Sequence, residues 1–162
     1  MSIPDTGLWV TALAFGIPLA LVDIFRHRLP NILVASMTFM FLVVMVPAAS
    51  TAEDWPRLTT AMGIGFGAFI LYALAGMAGL MGFGDVKLAG ALGLWLGWYG
   101  MDVVVIGMLA AFVLALPQSL VLSVRSRRGV PKKRVAFGPY MIVGAMLAVL
   151  LSPAGGVLPG AS

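Results

Sequence analysis

Charged residues are sparse along this chain. Six stretches free of Asp, Glu, Lys and Arg run at 6–22, 29–52, 58–84, 88–101, 103–124 and 135–162. Crossing a hydrocarbon core of ~30 Å takes about 20 apolar helical residues. Windows of 17, 24, 27, 22 and 28 residues meet that length, the first by taking in a flanking residue or two. The fourth holds 14 residues. It reaches only about 21 Å at ~1.5 Å per residue, which suits a re-entrant segment unless Val86 and a snorkelling Lys87 lengthen it.

The basic residues decide how the windows are used. If all six cross, Arg26, Arg28, Lys87, Arg125, Arg127, Arg128, Lys132, Lys133 and Arg134 share one side and Arg57 stands alone on the other. If the fourth fails to cross, three basic residues face seven. The positive-inside rule prefers the first arrangement. The sequence therefore predicts an all-α integral membrane protein of six transmembrane helices, at about 6–25, 30–50, 58–81, 86–101, 102–124 and 136–158, with both termini outside and the basic loops in the cytoplasm. The connections are short, so residues 1–162 read as one domain. Spacings such as Gly63/Gly67 and Gly93/Gly97 put small residues on one helix face, where helices can approach closely.

Composition agrees: 61% of residues are hydrophobic and 10% charged, with a mean hydropathy of +1.06. Soluble domains run at roughly 45–50% apolar and about 25% charged. A net charge of +4 therefore concerns orientation and not partners, membrane lipids are the expected surroundings, and a solvated nucleic-acid module is excluded. With no cysteine and a single histidine, His27, a disulfide framework, a thiolate nucleophile and a catalytic zinc site are excluded too, and no metal or cofactor is expected. Met1 to Gly7 carry no Lys or Arg, so the basic region of a cleaved secretory signal is missing and the first apolar segment is expected to stay.

Of six acids, Asp5, Glu53 and Asp54 are expected in water and Asp102 at an outer helix end. Asp23 and Asp85 are different, because each continues directly from a long apolar run. They are expected at the inner ends of the first and third helices, which share a direction, so both carboxylates fall at one depth on the cytoplasmic side. Ionisable groups there are costly and face a protein interior, a partner or a functional path. Pairing of Asp23 with Arg26 or His27, and of Asp85 with Lys87, is the structural alternative. Two carboxylates sharing a site cannot both ionise, so one keeps a proton while the other serves as a base toward water. Such a pair can hydrolyse a peptide bond. Gly82 and Gly84, just before Asp85, tolerate backbone angles that end or bend a helix. A proton-coupled transporter relaying protons through Asp23 and Asp85 and a non-enzymatic scaffold are the rival functions.

At these residues the sequence resembles a known family. The segment DIFRHRLPN, Asp23 to Asn31, is similar to the first motif of the type IV prepilin peptidases, and GFGDVKL, Gly82 to Leu88, to their GxGD aspartic-peptidase signature. FGPYM, Phe137 to Met141, is a looser similarity to the start of the family's last helix. The resemblance implies a GxGD aspartic-peptidase-like bundle with catalytic Asp23 and Asp85. Gly82 and Gly84 would shape the turn, and Lys87 would support it or touch substrate. It implies prepilin or pseudopilin substrates, a bacterial inner-membrane location and removal of a leader peptide at the cytoplasmic face. Long members carry a cysteine-bearing domain after the first helix, tied to N-methylation, which Arg26 to Leu29 cannot hold. The chain is thus expected to lack that activity, like the short enzymes of tight-adherence (Flp) pilus systems.

The topology is testable on this cysteine-free background. Cysteines introduced at Ser126 and His27 should react only with permeant reagents, and those at Ala52 and Ser162 with impermeant ones. Labelling of position 126 from outside would restore the re-entrant reading of 88–101.

Overall fold

The computed structural model describes residues 3–26, 29–79, 81–127 and 137–152, with 121–127 as backbone alone. Six helices follow one another: α1 (Ile3–Arg26), α2 (Asn31–Ala52), α3 (Trp55–Met77), α4 (Phe83–Gly97), α5 (Met101–Arg127) and α6 (Gly138–Leu151). In hydrocarbon a helix satisfies its own backbone hydrogen bonds, and α1, α2, α3 and α5 as far as Leu120 are long and apolar enough to cross a membrane. The 15 residues of α4 and 14 of α6 are fewer than a full crossing needs.

Helix α4 is the hub. It packs on α2, α3, α5 and α6, and Val86, Leu88, Ala89 and the whole run Ala91–Gly97 are buried. A helix apolar on every side belongs in an interior. Its Trp95 is fully buried, with Trp9 of α1 edge-on at 5.4 Å and Phe41 of α2 stacked at 5.7 Å.

Small residues set the closest approaches. A Cβ added to Gly93 would lie 2.8 Å from the Ala68 Cβ, and one on Gly97 3.0 Å from the Ala61 Cα, so the Gly93/Gly97 face packs on α3 as its spacing suggested. Gly63 and Gly67 do not: nothing lies within 4 Å of a Cβ at either. Gly65 takes their place, facing Gly90 and Leu94, because it shares a helix face with Ala61 and Ala68 at the i+4 and i+7 spacing. Between α5 and α6 the close point is Gly144, where a Cβ would meet the Ala111 nitrogen at 2.7 Å.

Two expectations are corrected. The third helix does not run to 81. Met77 is its last residue, Gly79 adopts a positive φ of 76°, and the extended Gly82 (φ −79°, ψ 145°) caps α4. Asp85 therefore stands in the first turn of the fourth helix, not at the end of the third. Asp5, expected in water, is buried in the first turn of α1, where its carboxylate faces the Tyr99 hydroxyl from the α4–α5 turn. Burial, and then the Asp5 charge, hold the Tyr99 hydroxyl protonated well above its ordinary range. Nearby, Arg57 Nε donates to the Trp98 carbonyl at 2.7 Å while its guanidinium lies 4.4 Å from the Trp98 ring centroid, and Asp54 caps α3 by accepting from the Arg57 N–H. His27 and the basic loop beyond Arg127 lie outside the described residues.

Gly144→Ala should destabilise the protein by about 1–3 kcal/mol, the usual cost of overpacking. Gly63→Ala, in open space, should stabilise it by up to ~1 kcal/mol through helix propensity. Reversible unfolding in detergent micelles checks both.

Candidate active site

The last turns of α1 carry Asp23 out of an apolar run and into the protein, leaving it 5% exposed. A buried carboxylate needs donors. One comes from 115 residues further on: the Gly138 N–H, at the start of α6, donates to Asp23 Oδ2 at 3.1 Å in a buried bond. Pro follows at the opening of α6, where its missing N–H costs the helix nothing. The remaining first-turn N–H groups have no partner within the helix and give its N-terminus partial positive charge, which favours an anion. Glycine lets the carboxylate come this close, since a Cβ at position 138 would stand 2.8 Å from Asp23 Oδ2.

Asp85 reaches the same place from the start of α4. The Gly82 carbonyl accepts from the Asp85 N–H at 3.0 Å and from the Val86 N–H at 3.3 Å, closing the first turn. The Asp85 carboxylate also lies back over Gly82, its Oδ2 3.5 Å from where a Cβ on Gly82 would stand. That carboxylate is half-buried and stands in the electrostatic field of Asp23. Leu29 joins the two halves of the cluster. Its side chain fills the space where a Cβ on Gly84 would lie, 3.1 Å from Leu29 Cβ, and also comes near Gly138. Gly84 thus shapes the site by admitting Leu29 rather than by breaking a helix.

Lys87 lies on the same end but turns elsewhere: Nζ donates to Asn31 Oδ1 at 2.9 Å. At two residues' separation a helix places side chains on different faces, so the direct partner of Lys87 is Asn31 rather than Asp85. The structure thus gathers Asp23, Asp85, Gly82 and Gly84 into one cluster, with Lys87 at its edge.

Two neighbours were not singled out in the sequence. Gly138 lies inside the FGPYM segment, whose similarity pointed to the region but to no role. Tyr72, buried in α3, is within electrostatic reach of Asp85. Its only mark in the sequence is a hydroxyl within an apolar run. Among the described residues no three of His, Asp and Glu converge. The chemistry the cluster can perform is that of two neighbouring carboxylates in a partly dry site: sharing a proton, holding a water, and exchanging protons with a bound amide.

This arrangement, a carboxylate pair at one end of an apolar helix bundle, defines a class of membrane protein, and comparison with known proteins places it. The chain belongs to the Type IV leader peptidase family, whose model matches residues 10–120. A prepilin leader peptidase/N-methyltransferase of Pectobacterium carotovorum subsp. carotovorum is 28% identical to it over 160 residues, covering 93% of this chain and 54% of that protein. Proteins of the same description from Aeromonas hydrophila and Aeromonas salmonicida (strain A449) are each 36% identical over 70 residues, or 43% of this chain and 23% of theirs. The chain spans about half the length of the Pectobacterium relative. No solved structure matches it significantly.

Gly138→Ala tests the geometry directly. The added methyl must push Asp23 off its bond to the α6 N-terminus. The expected outcome is a folded protein in which the Asp23 carboxylate infrared band, identified as the feature lost in Asp23→Asn, has moved. An unmoved band would mean that the bond does not hold Asp23.

Proposed function

We propose that this chain is a membrane aspartic endopeptidase that removes the leader peptide of type IV prepilins or pseudopilins at the cytoplasmic face of the bacterial inner membrane. Asp23 and Asp85 carry the catalysis. The observation that supports this most strongly is the meeting of two acids from separate helices, Asp23 buried and Asp85 half-buried, with Asp85 in the field of Asp23. Family membership supports the same reading.

The mechanism follows from the shared site. With one proton between the two carboxylates, the ionised one takes a proton from a water held between them, and the protonated one donates to the scissile carbonyl as the tetrahedral intermediate forms. The same groups then return a proton to the leaving amine. Gly138 holds the Asp23 carboxylate through its N–H, the turn closed on the Gly82 carbonyl sets the start of α4 that carries Asp85, and Leu29 packs between Gly84 and Gly138. The substrate keeps its hydrophobic helix in the bilayer and presents its cytoplasmic end.

All six helices cross the membrane in this reading, with the termini outside. The two short ones, α4 and α6, manage it because protein rather than lipid surrounds much of their surface. Only four residues separate Arg26 from Asn31, so no domain is inserted between α1 and α2 and N-methyltransferase activity is absent. That makes the chain similar to the short peptidases of tight-adherence pilus systems.

Co-expression with candidate prepilins tests the function. Asp23→Asn and Asp85→Asn should each cut leader removal by at least the ~10²–10⁴-fold that positioned acid–base groups contribute, while the protein still inserts. Near wild-type cleavage by either variant would exclude the pair. Activity of the wild type should be bell-shaped in pH, since only the singly protonated pair works and its two steps belong to the pair as a whole. A profile with a single limb would argue against a shared proton.

A further inference from the structure

A groove of about 670 Å³ runs between α2 and α3, floored by α4. Helices α2 and α3 meet only sparsely, whereas each packs on α4, so the gap between them opens sideways, toward the bilayer. Its walls are apolar, with Val34 and Leu42 on α2, Phe66 and Phe69 on α3, and Leu94 on α4. The Thr38 hydroxyl in the wall is turned back onto the Val34 carbonyl at 3.0 Å. Polar chemistry is left at one end alone, where Lys87 and Asn31 stand joined by their 2.9 Å bond.

Length and charge together identify an occupant. From Asn31 to Leu42 the groove follows α2 for eleven residues, about 16 Å at ~1.5 Å per residue. That is one leaflet of a ~30 Å core, half of what a membrane-crossing helix would need to lie along its whole length. The Lys87 ammonium and the Asn31 amide N–H groups offer several donors and one positive charge at the headgroup end. We infer that the groove is a binding site for one anionic glycerophospholipid of the leaflet on the Asp85 side, its phosphate on Lys87 and Asn31 and an acyl chain between α2 and α3. The inference does not depend on the peptidase reading. Where that reading holds, the bound lipid forms the wall beside the carboxylate cluster, since Lys87 follows Asp85 by two residues.

The test uses the full chain in vesicles of phosphatidylglycerol and phosphatidylethanolamine, followed by stepwise delipidation and native mass spectrometry. One phosphatidylglycerol should stay with each chain, in preference to phosphatidylethanolamine. Lys87→Met should weaken its retention roughly fivefold, the contribution of one lysine at an anionic membrane surface. Ala35→Trp should abolish retention by filling the groove from an exposed position on its wall. A photoreactive phenylalanine analogue at Phe39 should acquire the mass of one phospholipid. Equal retention of the two lipids, retention unchanged in both variants, or crosslinking to a co-expressed prepilin or a second copy in place of lipid would overturn the assignment.

Discussion

A carboxylate at the end of an apolar helix cannot be left to the hydrocarbon, and much of this fold can be read as the answer to Asp23. The desolvation of a buried anion amounts to several kcal/mol after relaxation, so donors must be built around it. The nearest backbone on α1 cannot help, because its N–H groups are spent within the helix. The donor that arrives is the first turn of α6, whose N–H groups have no partners of their own. Closing that bond ties the beginning of the chain to its end, and glycine at 138 lets the carboxylate come this close. Leu29, just beyond α1, is then held between Gly138 and Gly84, which brings the start of α4 to the same point.

Bringing α4 inward has its own requirement. A helix enclosed by four others must let their backbones come close, and small residues at Gly93 and Gly97 do this toward α3. Trp95 fills the opposite side against Trp9 and Phe41. The contacts that make α4 the hub therefore also fix the depth and direction of its first turn, and with it the position of Asp85. The groove between α2 and α3 is a by-product of the same packing: both helices lean on α4 and leave a gap over it.

The carboxylates were legible in the sequence because a charge next to a long apolar run is costly and stands out. Their convergence was legible from topology alone, since both were expected at the inner ends of their helices. The helix that carries Asp85 was not. Charged residues mark the ends of several helices, but the break between α3 and α4 is made by Gly79 and Gly82 inside an uncharged stretch. Glycines at 63, 65 and 67 present two alternative faces, and spacing cannot choose between them until α4 is in place. Gly138 and Tyr72 come from elements far from the acids in sequence, so no local pattern assigns them a role. The burial of Asp5 has no local mark in the sequence, since the Tyr99 hydroxyl within its electrostatic reach lies 94 positions away.

The two ends of the bundle treat their charges in opposite ways. At the end bearing Asp5, ionisable groups are matched to complementary neighbours: Arg57 to the Trp98 carbonyl and ring, Asp54 to a helix N-terminus. Such pairings lower the energy and ask for nothing further. At the other end two carboxylates are pressed toward each other, while Lys87, the cation closest in sequence to Asp85, is directed to Asn31. Like charges held together in a partly buried site raise the energy of the fully ionised state. A fold selected for stability alone would separate the acids or set a cation from another helix between them. Local conflict of this kind, surrounded by otherwise consistent packing, is where function is to be sought. Here the conflict has a definite chemical content, because it is relieved by one shared proton, the state in which one carboxyl can donate and the other can accept.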